Sequence, residues 1–194
     1  MDLVSRTIDG LAIQMPREAA ELPDDGPIEW APVAPYWSVL WRSGVALAQE
    51  VATTQLDGVR VVELGCGLAL PSLAAARAGA VVTATDACEE ALELVALNAR
   101  LNSVPVKTQV FDWFEPGELG RFELLLASDV LYERHSVSAL LVHLPRLADE
   151  AWIADPGRSA ADAFVEAAAR DWSLGTSLRD GVRIHCLQGF SKRQ

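Results

Sequence analysis

The residues most able to do chemistry lie in short blocks, and the first of them is V-R-V-V-E-L-G-C-G at residues 59–67. It reads as a buried strand that stops at two glycines, Gly65 and Gly67, spaced for a tight turn. Without a Cβ, backbone at such positions can come close to a ligand. Pro71 suits the first turn of the helix that follows, and Gly79 the position just past its end. A strand, a glycine turn and a helix in that order make the nucleotide-binding corner of an open α/β sheet. The dinucleotide pattern needs a small residue at its third conserved position, and here that position is Leu70. Glu63, two residues before the first glycine, would repel a pyrophosphate and attract a cation. Asp86 closes the next candidate strand, V-V-T-A-T-D at 81–86, where a carboxylate can take both hydroxyls of a ribose.

Further acids fall at the ends of the later candidate strands: Asp112 beside Trp113, Asp129 beside Ser128, and Asp155. Ligands of open parallel sheets bind off these carboxyl ends. A ligand with two positive charges and a ribose accounts for the row of carboxylates. S-adenosyl-L-methionine carries a sulfonium, an ammonium and no phosphate, and Trp113 offers an aromatic face to its adenine. An acid after the second strand is shared with NAD sites, so Glu63 and Leu70 are what disfavour an NAD(P) oxidoreductase.

The elements that must position these residues follow from periodicity. Strands are expected at 59–64, 81–86, 106–112, 122–130 and 151–154, the run F-E-L-L-L-A-S-D-V at 122–130 being apolar enough for a central parallel strand. Helices are expected at 35–51, 71–78, 88–102, 136–145 and 159–170. Leu40, Gly44, Leu47 and Val51 keep helical spacing in the first of these, with Trp37 and Trp41 one turn apart at its start. Pro145 ends or kinks the fourth, and a Ser159-x-x-Asp162 capping box opens the fifth. Pro116-Gly117 reads as a turn, and two last strands, 173–178 and 183–190, join through Asp180-Gly181. The expected fold is a seven-stranded, mostly parallel sheet with one antiparallel edge strand and helices on both faces. Residues 35–194 form that domain. Residues 1–34, punctuated by Pro16, Pro23, Pro27 and Pro32 and by Asp24-Asp25-Gly26, read as an irregular arm with a short strand near 11–15.

At 194 residues, with 51% hydrophobic and 22% charged residues, the chain is globular and long enough for one full core. Its 27 acids against 16 bases give a net charge of −11, which argues against nucleic acid as a partner and suits a lysine-bearing one. Cys66, Cys88 and Cys186 show no C-x-x-C spacing, so neither a disulfide framework nor a metal site is indicated. His135, His143 and His185 read as structural. No apolar run approaches the roughly 20 residues needed to span a bilayer, and residues 1–10 lack a signal segment. No membrane partner, a cytoplasmic location and a monomer are expected.

The E-x-G-x-G pattern with Asp86 resembles the first two motifs of class I methyltransferases. D-V-L-Y at 129–132, with P-Y-W-S-V-L-W-R-S-G before the glycine corner and D-W at 112–113, is similar to the seven-β-strand protein lysine methyltransferases. The likeness is nearest to the electron-transfer-flavoprotein β-subunit lysine methyltransferases and their bacterial relatives, through D-V-x-Y-E at 129–133 and D-P-G-R at 155–158. It runs from about residue 30 to the end. The resemblance implies a Rossmann-like class I fold, S-adenosyl-L-methionine as cofactor, and a protein lysine as acceptor. It implies that Trp41, Gly65, Gly67, Asp86, Trp113 and Ser128 line the cofactor site, with Glu63, Cys66, Ala87 and Asp112 on the same strand ends. Asp129 and Tyr132 are then the catalytic pair, lying where the methyl meets the incoming nitrogen. That reaction is an in-line attack on a sulfonium methyl and calls for no metal. A small-amine, nicotinamide-type N-methyltransferase is the rival within this class, disfavoured by the short arm. A non-catalytic donor-binding module is disfavoured by Asp129 and Tyr132. The chain departs from the family's W-P-S-G at Trp41-Arg42-Ser43-Gly44, and Arg42 bears on the identity of the acceptor.

Overall fold

A computed structural model describes residues 2–20, 35–115 and 117–189. Strand β3 (Arg60–Leu64) leads into helix α3 (Leu70–Arg77), strand β4 (Val81–Asp86), helix α4 (Glu89–Leu101) and strand β5 (Val106–Val110). The chain then crosses back to β6 (Phe122–Ser128), α5 (Arg134–Leu147), β7 (Ala148–Asp155) and α6 (Ser159–Ala168), and closes with β8 (Trp172–Arg179) and β9 (Val182–Gly189). The sheet order is β5-β4-β3-β6-β7-β9-β8. Strands β3 to β7 run parallel, and β9 pairs antiparallel with both β7 and β8.

The seven strands and the antiparallel member are as the sequence predicts. The antiparallel strand, however, lies one place in from the edge, because β9 inserts between β7 and β8. Adjacent strands point from β3 in opposite directions of the winding, β4 to one side and β6 to the other, so the topological switch lies between β3 and β6. Alternation across the pleat divides the core. Val61, Leu124 and Leu126 face a cluster with α2 (Arg42–Ala52) and α3, while Val62, Leu125 and Ile153 face α5 and α6. Helix α3 buries seven of its eight residues, Leu70 to Ala76, which explains why alanine and leucine fill most of it.

Three expectations shift. The helix read over 35–51 begins only at Arg42, after a 3₁₀ turn at Tyr36–Ser38, and Trp41 is its extended N-cap rather than a helical residue. Helix α5 carries Pro145 inside its last turn and stops at Leu147. Helix α6 has Arg158, not Ser159, at its N-cap and makes no side-chain cap, since Asp162 is drawn instead to Arg183 (2.6 Å).

The arm expected to be irregular begins as a hairpin, β1 (Leu3–Ile8) paired antiparallel with β2 (Leu11–Pro16), followed by a single helical turn, α1 (Arg17–Ala20). Leu11, Ile13 and Met15 are buried. The free edge of β2 is met by two asparagines four residues apart, Asn98 on α4 and Asn102 at its C-cap. Asn98 bonds both the N–H and the carbonyl of Gln14 (2.8 and 3.1 Å), and Asn102 does the same for Ala12 (2.8 and 2.7 Å). Residues 21–34, with Pro23, Asp24-Asp25-Gly26, Pro27 and Pro32, lie outside the described residues, as do Pro116 and Phe190. Among the described residues no helix is long and apolar enough to cross a membrane, and no group of three or more His, Cys, Asp or Glu could hold a metal ion.

Candidate active site

The carboxyl ends of β3 and β6, with the loops after β4, β5 and β7 and the start of α2, enclose a cavity of about 1060 Å³. That is at the upper end for small-molecule sites. Gly65 and Gly67 form its floor and have φ of 59° and 49°. A Cβ on Gly67 would lie 2.7 Å from the Trp37 carbonyl oxygen, and one on Gly65 would lie 2.9 Å from the Trp113 ring. Both positions therefore require glycine for conformation and for space.

Asp86 ties this floor to the second strand. Its Oδ2 accepts the Gly67 N–H (2.9 Å) and its Oδ1 the Cys88 N–H (3.0 Å). Each oxygen keeps a further lone pair toward the cavity. Asp112 accepts the Phe114 N–H (2.9 Å), a local turn that swings Trp113 over Gly65. The Trp113 indole N–H is buried without a partner, and its carbonyl is fixed by His143 Nε2 at 3.0 Å. At the mouth, Trp41 stacks on Tyr36 with ring centroids 6.5 Å apart and donates from Nε1 to the Tyr36 carbonyl (3.1 Å).

Asp129 stands at the end of β6 with φ of 57°. Aspartate is among the few residues that visit this left-handed region, and strain there gathers at functional sites. Its side chain is 8% exposed and its Oδ1 lies 2.9 Å from Arg158 Nη2. Tyr132, two residues beyond the buried Val130, is half exposed at the cavity mouth.

Trp41, Gly65, Cys66, Gly67, Asp86, Ala87, Asp112, Trp113, Ser128, Asp129 and Tyr132 all line this cavity. Glu63, expected among them, does not. It is completely buried behind α3, where its Oε2 accepts the Ser72 N–H (2.9 Å) and the Ser72 hydroxyl. Burial drives its carboxyl up to about 8, against the lowering effect of the two Ser72 bonds. A protonated side chain at the N-terminus of a helix serves the core, not a cationic ligand.

Trp37, one of the two tryptophans that open the 35–51 segment, lines the cavity too, as do Phe111 and Phe114, which no sequence motif marks; nor does any motif mark the partners beneath Arg158. Asp155 is fully buried. It accepts the Gly157 and Arg158 N–H groups (2.6 and 2.8 Å), Arg183 Nη2 (3.2 Å) and His185 Nε2 (3.0 Å). Burial raises its carboxyl, but these four donors outweigh that and hold it at about 2. His185 Nδ1 then accepts from Thr176 (2.8 Å), so the histidine serves this network. Arg42 reaches across from α2 to the Asp180 carbonyl (2.9 Å) in the turn between β8 and β9.

A family model described as lysine methyltransferase matches residues 36–154. Over 121 residues the chain is 36% identical to protein N-lysine methyltransferase METTL21A of Danio rerio, covering 57% of this chain and 55% of that protein. It is 29% identical over 142 residues to the electron transfer flavoprotein beta subunit lysine methyltransferase of Danio rerio, 70% of this chain and 55% of that one. Histone-arginine methyltransferase METTL23 of Xenopus laevis is 31% identical over 153 residues, 72% and 65%. The chain thus spans about half to two thirds of the length of the curated relatives it matches. Among solved structures, magnesium protoporphyrin IX methyltransferase from Synechocystis with bound SAM superposes with a TM-score of 0.59 at 22% identity, over 74% of this chain and 76% of that one. That likeness is one of fold.

Proposed function

The chain belongs to the lysine methyltransferase family, and from that premise we propose that it is an S-adenosyl-L-methionine-dependent N-methyltransferase acting on lysine side chains of a protein. The observation that carries this reading is the meeting of the glycine floor, Asp86 and Asp129 in one cavity at the switch point of the sheet. The residues present fit the donor. The Gly65–Gly67 cradle would be filled by any side chain, Asp86 keeps lone pairs for ribose hydroxyls, and the unpartnered Trp113 N–H sits on the wall. When bound, the donor supplies an electrophilic methyl on a charged sulfur.

The rest falls to the protein. Gly65, Gly67 and Asp86 hold the nucleoside end, and Trp113 with Phe111 excludes water beside it. Asp129 accepts a hydrogen bond from the attacking amine and stabilises the charge that grows on nitrogen. Tyr132, at the mouth, orients or covers the aliphatic end of the incoming side chain. The exposed aromatic residues Tyr36, Phe114 and Tyr132 and the net charge of −11 support a basic protein segment as acceptor. Free thiols at Cys66, Cys88 and Cys186 suit a reducing compartment and support a cytoplasmic one.

The test is to incubate the protein with methyl-labelled donor and lysate of its own cells, then hydrolyse the labelled protein bands. Methyl-lysine is the expected product. Label confined to small molecules would overturn the protein-acceptor reading, and methylarginine would overturn the choice of lysine.

A further inference from the structure

We propose that Arg158 is a built-in counter-cation to Asp129, which keeps the acceptor nitrogen a neutral amine instead of trapping it as an ammonium. The inference rests on the methyltransferase reading. A free lysine amine has a pKa of about 10.4, and an opposite charge within about 4–6 Å favours its charged form still further. A lone carboxylate at the transfer point would therefore bind the unreactive ammonium and hold it there. With Asp129 already paired at 2.9 Å, an incoming ammonium meets a charge-balanced pair, and loss of its proton to solvent water before it enters is eased.

Arg158 is held for this role rather than left to chance. Its N–H is fixed on the buried Asp155 (2.8 Å) and its carbonyl on Arg183 Nη2 (3.3 Å). Asp155 is in turn bound by His185 from β9. The remaining charged groups that line the cavity are directed elsewhere: Arg6 to the Ala20 carbonyl, Arg42 to the Asp180 carbonyl, and Asp86 and Asp112 to backbone N–H groups. Glu133, beside Tyr132, lies 2.9 Å from His135 Nδ1. Behind Arg158, Asp162 is occupied by Arg183. Arg158 thus acts through Asp129, as a positioning residue.

Donor binding tests this without a known acceptor, because S-adenosylhomocysteine lacks only the methyl and its positive charge. Calorimetry would give the ratio of affinities for the donor and for S-adenosylhomocysteine. In Arg158→Gln the bared Asp129 should favour the charged donor, raising that ratio about fivefold at low salt. Arg158→Lys should restore it, and Arg158→Gln/Asp129→Asn should return it to the original value. A purely structural role would weaken both ligands alike. An unchanged or lower ratio in Arg158→Gln, with the donor still bound, overturns the proposal. Failure of the unaltered protein to bind either ligand overturns the methyltransferase reading instead. Should Arg158→Gln lose its thermal unfolding transition, Arg158→Met, which keeps the aliphatic stem, carries the same comparison. Loss of folding in that variant and in the doubly neutral one would make Arg158 a structural member and end the proposal.

Discussion

The two halves of the sheet use the same residue type in opposite ways. On the β3–β5 side, Asp86 and Asp112 bind backbone N–H groups of their own loops. Such donors carry no net charge, so neither carboxylate meets a compensating cation there. On the β6–β9 side, Asp129 and Asp155 are matched to Arg158, Arg183 and His185. Both carboxylates already face a guanidinium before any ligand arrives. An acid at the end of a parallel strand therefore says little by itself. What its neighbours donate decides whether it serves as a ligand group, a tuned reactive group or a piece of framework.

The largest effect should come from the framework acid. Asp155→Ala removes the acceptor of the buried His185 Nε2 and of one arm of Arg183 and frees the loop carrying Arg158, and loss of one partner of a buried pair costs about 3–5 kcal/mol. Because Asp155 is held at about 2 when folded, below its ordinary 3.8, its contribution is complete above the ordinary value and disappears as pH falls toward 2. Denaturant melts from pH 2 to 7 should show a shallower acid slope in the variant. An unchanged melt would mean that the balanced half is not rigid.

Asp129→Asn comes next. Turnover on a confirmed acceptor should fall by about 100-fold or more while affinity for the uncharged S-adenosylhomocysteine changes little. Full activity would move Asp129 out of the reacting site. Asp86→Ala should do the reverse, weakening donor binding by about 1.5–3 kcal/mol in calorimetry, the range for hydrogen bonds to a charged group. An equal dissociation constant would place Asp86 among the framework acids and erase the contrast.

The smallest change concerns Glu63. A carboxyl raised to about 8 in the fold, from an ordinary 4.5, stabilises most at low pH and loses that contribution as pH climbs through this window. Glu63→Gln should remove about 2 kcal/mol of the decline in stability between pH 6 and pH 9, with donor affinity nearly unchanged. A large loss of donor affinity together with an unaltered pH profile would return Glu63 to the ligand site.

Local patterns along the chain are enough to place the main-sheet strands and their helices in order, the glycine corner and the acids at the strand ends. All of these are local: a turn needs its glycines at fixed offsets, and a parallel strand shows its burial as a continuous apolar run. That Asp129 and Tyr132 reach one cavity is likewise legible, because one loop carries both. Tertiary structure decided the rest. Glu63 and a cavity-lining residue look alike in the chain, and only the packing of α3 over β3 shows that Ser72 takes the carboxylate inward. The hairpin at the start needed Asn98 and Asn102, more than 80 residues away in sequence, to satisfy its open edge. Arg158 and Asp129 are separated by 29 residues and meet because β6 and β7 lie side by side. Backbone patterns repeat along the chain and can be read from it, whereas the pairing of charges depends on which strand ends the winding of the sheet brings within hydrogen-bond reach.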